Sequence, residues 1–454
     1  MNQIEVLTSS RGNPMLCYSG YLYTHHSMTE KKRVFRCEDR NCRSRCHTNT
    51  LMEVFVKEPS EHSHAPDPDR VHVIQLKHEI KARGSSSDEA TSIILFDALR
   101  SIPLNAVPGL PTNNALMQTI RHQRQPVQLD ENCQLPFVFR LTDRGENFVL
   151  FEDQSMLIFT CDKNLTTLKQ CKHWFMDGTF SICPKSHYQL FTVHGMFFLQ
   201  IIPLVYVLLI GKAADDYNDF FDQLLLQHDF EPESILVDYE SAILKSIKTK
   251  FPNVNSIGCL FHMGQCLWRE LQTSGFQNKY TTNDKFRMNV KKLMALAFVP
   301  VSDVVKAYAV IVDDFEEEDY LLLDYFERVW VGQKLRRGIK RGQPKFSLQL
   351  WNMYERVIHD LPRSNNSIEG WHHAFNNRVS IKHPSIVKLT KCILREQSRF
   401  EVDIERLRAG APPQKKRKLY ADLDARLKTV TLSYNIHNID DYLNRIAMNL
   451  KIGV

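Results

Sequence analysis

The sequence predicts a small β-rich module bearing close-set cysteines and histidines, followed by an α/β domain whose chain is interrupted by a long helical stretch. Residues 1–70 place Cys37, Cys42, His62 and His64 among turn formers and short alternating segments. From about residue 134, near-continuous apolar runs follow one another, and strand-like and helix-spaced segments then alternate to residue 265. Helical spacing takes over for about a hundred residues after that.

With 454 residues the chain has room for two to four domains, at roughly 100–200 residues each. Its 43% apolar and 24% charged residues are values of a globular protein and exclude collagen, coiled-coil and low-complexity classes. Lys plus Arg exceed Asp plus Glu by 58 − 52 = 6, and the pI is about 8.6. That balance permits a nucleic-acid partner without demanding one. The Met1 end has no basic segment leading into an apolar one, so no secretory signal is expected. The longest apolar run, Met196 to Ile210, is 15 residues and holds Gln200 and Pro203. A bilayer needs about 20, so two buried strands joined at Gln200 to Pro203 are expected, and no membrane partner. Eleven cysteines, an odd count, point to a reducing compartment where close pairs usually hold metal.

Residues 71–133 read as helices around Arg83-Gly84-Ser85-Ser86-Ser87, with a basic-ended helix from Asn114 to Gln125. Residues 134–265 begin with expected strands at Phe137–Leu141, Phe148–Phe151 and Met156–Thr160. Longer apolar runs follow at Trp174–Phe180, Tyr188–Phe197 and Pro203–Ile210, then a helix over Asp215–His228 and a strand over Ser234–Asp238. A helix over Tyr239–Lys250 and a strand over Val254–Cys259 complete an order typical of an RNase H-like α/β core. Residues 266–364 form the helical insertion, with an acidic stretch at 313–319 and a basic one at Lys334, Arg336, Arg337, Lys340, Arg341 and Lys345. Residues 365–410 hold a helix with Glu369, and 411–454 a linker with Lys415-Lys416-Arg417-Lys418 before a last helix.

Zinc takes four thiolate or imidazole donors at tetrahedral corners, usually as two close pairs. Cys37 with Cys42 and His62 with His64 supply two such pairs within 28 residues, with Cys46 and His47 as rival donors. Tyr21, Tyr23 and Phe35 are the expected small core. Lys31, Lys32, Arg33, Arg36, Arg40, Arg43 and Arg45 form a basic set suited to phosphate contact. Gly20-Tyr-Leu-Tyr23, Phe35-Arg-Cys37, Cys42, Arg45, Thr48 and His62-Ser-His64 together resemble the FLYWCH zinc finger, with Phe35 where that pattern usually has Trp. The resemblance implies a small β module that binds DNA or protein.

Asp177 and Asp238 stand out in the second region, because each puts a charge inside or at the end of an apolar strand. Singly, each is as well read as a turn or a helix cap, and Asp238 in particular is placed to open the next helix. Glu369 is not distinguishable by physical argument from the other helical glutamates. The pieces Phe175-Met-Asp177-Gly, Val193-His-Gly195, Val237-Asp238-Tyr-Glu, Cys259-Leu-Phe-His262, Asn365-Asn-Ser-Ile-Glu369-Gly-Trp-His372 and His383-Pro384 resemble a Mutator-like element transposase over roughly residues 134–400.

That resemblance implies a DDE-type DNA transposase with Asp177, Asp238 and Glu369 as catalytic ligands of magnesium or manganese. It also implies a motif role for Cys259 and His262, structural or DNA-positioning. His372 and His373 are read as surface residues. Double-stranded DNA, as element ends and target, is the expected partner, with self-association and a nuclear location. The rival expectation is a domesticated, non-catalytic DNA-binding or chromatin factor.

Overall fold

The computed structural model describes residues 4–8, 12–86, 89–123, 134–335 and 341–452. Arg336, Arg337 and Lys340 of the basic stretch, Ser87, and the last two residues of the helix expected to end at Gln125 lie outside them. Two compact units divide at residues 128 and 129.

The first unit opens with a meander of six strands, β1 (Glu5–Thr8), β2 (Pro14–Tyr18), β3 (Tyr21–Met28), β4 (Arg33–Cys37), β5 (Arg45–Thr48) and β6 (Phe55–Lys57), hydrogen-bonded in sequence order. Side chains alternate across a strand, so Phe35 and Cys37 are buried on β4 while Arg36 between them is exposed. Leu16, Tyr23, Phe35 and Cys46 form the small core of this sheet. Helices α1 (Pro68–Ser86), α2 (Thr91–Leu99) and α3 (Asn113–Gln123) follow and bury Leu76, Ile80, Ile94, Leu95, Leu116 and Ile120 among themselves.

The second unit is built on a mixed seven-stranded sheet. Its elements begin with β7 (Val149–Glu152), β8 (Met156–Phe159), α4 (Asp162–Gln170), β9 (His173–Thr179), β10 (Gln189–Phe197) and β11 (Gln200–Leu209). Then come α5 (Ala214–Leu225), β12 (Ser234–Val237), α6 (Ser241–Lys250), β13 (Asn255–Gly258) and α7 (Leu260–Thr273). The strand order is β13-β12-β9-β10-β11-β8-β7, with β12 parallel to β9 and β13 and the other pairings antiparallel. A parallel neighbour needs a crossover, and α5 and α6 supply the helices. Nearly every residue of β10 and β11 is buried, as expected for strands covered on both faces.

Three local expectations are corrected. Phe137–Phe139 is a short 3₁₀ turn and not a strand, with Phe137 and Val138 exposed, and Leu141 of the expected strand forms an isolated bridge to Asn147. The β10–β11 hairpin turns at Phe198 and Leu199, not at Gln200 to Pro203. Pro203 sits inside β11 opposite His194, where the register shifts and a missing N–H is tolerated. Asp238 does not cap α6, which opens at Ser241 after Glu240.

Among the described residues ten α-helices complete the unit: α8 (Gln277–Thr282), α9 (Asp284–Ala295), α10 (Val304–Val312), α11 (Tyr320–Phe326), α12 (Leu348–Trp351), α13 (Tyr354–Ile358), α14 (Asn366–Val379), α15 (Ile386–Arg408), α16 (Lys418–Leu432) and α17 (Ile439–Ala447). The end of the chain therefore carries two helices where one is expected. Leu427 of α16 and Leu443 and Ile446 of α17 join a core with α7, α9, Trp330 and Trp351. The acidic stretch at 313–319 is mostly exposed, with Asp319 buried; Asp314 holds the buried Lys292, and Asp319 and Glu316 hold Lys279. Among the described residues no helix is long and apolar enough to cross a membrane.

Candidate metal centre and carboxylate site

In the first unit, β4 ends at Cys37, the turn after it carries Cys42, and a loop returns His62 and His64 to the same place. One donor atom from each of these residues lies within 4.8 Å of the others. Cys37 Sγ is 3.2 Å from His64 Nε2 and Cys42 Sγ 3.4 Å from His62 Nδ1. Tetrahedral zinc with bonds of about 2.0–2.3 Å sets such edges at roughly 3.3–3.8 Å, so the donor set fits a structural zinc. His64 Nδ1 lies 2.8 Å from the Ala65 carbonyl, a partner that fixes the ring and leaves Nε2 for the metal. His62 Nε2 is 2.7 Å from the Tyr23 hydroxyl and 3.1 Å from Ser44 Oγ, which leaves Nδ1 facing the thiols. Tyr21 stacks on His62, with ring centroids 3.6 Å apart. Burial works against ionisation of Cys42, but hydrogen bonds from the backbone of Ser63 and Ser44 outweigh it and bring the thiol down to about 7. The rival donors are placed elsewhere: Cys46 is buried against Phe35, and His47 lies beside Lys32.

Strand alternation splits the basic set. Arg36 and Arg45 stand directly opposite each other on β4 and β5, both exposed, whereas Arg33 falls on the Phe35 side of β4. Lys31, Arg40 and Arg43 are exposed in turns, and Lys32 lies 3.5 Å from His47. Burial, then Lys32, Lys57 and Arg45, hold His47 below its ordinary pKa. This sheet face is thus a basic strip.

In the second unit Asp177 lies on β9, Asp238 directly follows β12, and Glu369 sits in the first turn of α14. Because β9 and β12 are parallel neighbours, both aspartates fall at the same end of the sheet. Asn365, just before α14, ties that helix to the sheet: its Nδ2 donates to the Met176 carbonyl at 3.1 Å and its N–H to Cys259 Sγ at 3.2 Å. Cys259 opens α7, and three residues on His262 turns back to the carboxylates. Its Nδ1 is 2.6 Å from Asp238 Oδ1 and its Nε2 3.6 Å from Glu369 Oε1. Burial alone would lower the His262 pKa, but Asp238 and Cys259 raise it to about 11. Glu369 is pushed above the usual carboxylate range by burial; His262 opposes that shift, and Asp177 and Asp238 add to it.

His372, read from sequence as a surface residue, is buried, and its Nδ1 lies 3.4 Å from Asp177 Oδ2. One helical turn separates it from Glu369, so both project toward β9. Thr192 faces Asp177 across β9 and β10 and donates to its carbonyl at 3.2 Å. The same hydroxyl is 3.3 Å from His372 Nε2 and 3.0 Å from the fully buried His194. The Gly178 N–H donates to Asp177 Oδ1 at 2.9 Å. Sequence reasoning assigned no role to Thr192, His194 or Asn365. Asn365, four residues before Glu369 at a helix start, was the one with a local signal.

The two units thus define a zinc-finger protein whose second domain gathers three carboxylates at the end of a mixed sheet. Residues 6–64 match the FLYWCH zinc finger domain and residues 173–265 match the MULE transposase domain. The chain is thus similar to FLYWCH fingers over the first stretch and to MULE transposases over the second, which spans Asp177, Asp238, Cys259 and His262 and stops short of Glu369. No curated protein matches the chain.

Proposed function

We propose that the protein is a DNA transposase of the DDE type with an RNase H-like core. In this reading Asp177, Asp238 and Glu369 are its catalytic carboxylates, and the finger grips the ends of the mobile element. The observation that carries this reading is that Asp238 and Glu369 flank His262 while Asp177, at the same end of the sheet, is close enough to raise the Glu369 pKa. Antiparallel β11-β10-β9 continued by parallel β12 and β13 is the sheet order such a core requires. Three acids share a half-buried site in which burial, and then Asp177 and Asp238, raise the Glu369 pKa. Oxygen donors of this kind suit magnesium or manganese. Bound there, such ions supply Lewis-acid activation of water and neutralise charge on the phosphate.

The protein's own residues hold the geometry. Gly178 N–H and His372 fix the two oxygens of Asp177, and Thr192 fixes its backbone. Asn365 fixes the helix that carries Glu369. His262 stands between Asp238 and Glu369, 2.6 and 3.6 Å from their carboxylate oxygens. The reaction is hydrolysis of a phosphodiester at the element end, followed by attack of the freed 3′-hydroxyl on target DNA. Exposed Arg36 and Arg45 would contact phosphate, and the exposed Lys415-Lys416-Arg417-Lys418 cluster would serve nuclear import. Self-association of the DNA-bound protein belongs to the same reading.

Strand cleavage and joining on DNA from the gene's own flanks test it, with magnesium, with EDTA and with Asp238→Asn. Metal-dependent joining lost in the variant is the expected result. Specific binding with no cleavage, in manganese as well, would overturn catalysis in favour of a DNA-binding factor.

A further inference from the structure

Phe180 and Tyr188 bracket the loop between β9 and β10, and each is about half exposed, at 48% and 44%. Their ring centroids are 5.4 Å apart, edge to face. Among the described residues they form the only ring contact between two exposed aromatic side chains. Such rings normally go inward, and here burial would have been easy, since Ile182 and Cys183 of the same loop are buried.

The platform is fixed in place. Gln189, 2% exposed, donates to the Gly211 carbonyl at 3.2 Å and to the Tyr217 hydroxyl at 3.0 Å. That anchors Tyr188 beside Lys212, whose ammonium lies 5.7 Å from the Tyr188 ring centroid. Asn376 donates to Ser181 Oγ at 2.8 Å and ties the other side of the loop to α14. Phe180 follows Asp177 by three positions, roughly 10 Å of strand. Asn376 follows Glu369 by seven, also roughly 10 Å of helix. Both elements lead from the carboxylates to this loop.

The geometry points to a stacking subsite for an unpaired nucleotide base beside the reacting phosphodiester: Phe180 and Tyr188 take the base, and Lys212 takes the adjoining phosphate. Every base has a π face and every nucleotide an anionic phosphate, so two rings with a lysine over one of them match one nucleotide without reading its identity. Duplex DNA keeps its bases stacked on each other. The subsite therefore favours a strand end opened next to the cut. This assignment rests on the proposed carboxylate chemistry for its purpose, but not for its detection.

The test uses the full chain and DNA from the gene's flanks with 2-aminopurine at the nucleotide next to the cut, already nicked, in calcium so that no cleavage is needed. Stacking should quench the fluorophore. Phe180→Ala with Tyr188→Ala should abolish the quench and weaken binding of a single-stranded oligonucleotide about 5- to 150-fold, while intact duplex binds as before. Phe180→Trp should retain the quench, and Lys212→Ala should weaken single-strand binding alone. Both rings are exposed, so an unchanged melting temperature checks that the double variant folds. Equal quenching and equal single-strand affinity in the double variant would overturn the subsite. Quenching without magnesium-dependent cleavage by the unmodified protein would instead sink the proposed catalysis and leave the subsite standing.

Discussion

His262 Nδ1 lies 2.6 Å from Asp238 Oδ1 while its other nitrogen faces Glu369, so one imidazole stands between two carboxylates that come from distant parts of the chain. The two atoms do not meet the directional requirements of a hydrogen bond, so the contact is one of charge. A cation placed there offsets the repulsion among acids that face each other across a half-buried site.

This pairing makes metal-free stability depend on pH in a definite direction. The His262 pKa rises to about 11 on folding from an ordinary value of 6.5. The contribution is therefore complete below 6.5 and fades as pH climbs toward 11. Asp238 is 36% exposed, so solvent screening reduces the effect, and His262→Gln should cost about 1–2 kcal/mol at pH 6. Thermal melts in EDTA from pH 6 to 10 should show the gap between the two proteins closing. Magnesium should raise the melting temperature of the variant more than that of the parent.

Buried His372 and exposed His373 separate a positioning role from a surface one. His372→Ala removes the partner of Asp177 Oδ2, and a loss of about 10–100-fold in cleavage is expected, the usual cost of removing an outer-shell partner. His373→Ala should leave the rate within twofold. Equal rates for both variants would remove His372 from the site.

In the finger, metal content distinguishes ligand from core. The intact protein should carry one zinc in the first unit, and Cys37→Ser or His64→Ala should lose it together with the β-sheet signal. Cys46→Ala, by contrast, should keep zinc and lose only packing, about 1 kcal/mol. Plasma emission metal analysis with circular dichroism reads both.

Arg36 and Arg45 sit directly opposite each other on neighbouring strands, an arrangement of like charges that costs stability. Arg45→Thr should therefore stabilise the finger by a few tenths of a kcal/mol while weakening DNA binding. The slope of log affinity against log salt should fall by about one for each arginine removed. A variant that binds with the parent's slope would place the DNA elsewhere.

Local pattern carried much of the design. The spacing of Cys37, Cys42, His62 and His64 made zinc legible, since the pairs lie close in the chain. The apolar runs ending at Asp177 and Asp238 made both aspartates conspicuous, because a charge in such a run needs a reason. Phe137–Phe139 shows the limit: an apolar run looks the same whether or not a partner strand exists.

What the sequence by itself determined is composition, periodicity and the residues whose chemistry is unusual where they stand: the six candidate zinc donors and the two strand aspartates. Only the tertiary structure decided that Cys46 and His47 turn away from the zinc donors, that His372 is buried against Asp177, and that His262 bridges Asp238 and Glu369. The reason is physical. A donor's role follows from which atoms surround it, and residues 177, 238, 262 and 369 become neighbours only when sheet order and helix packing bring them together.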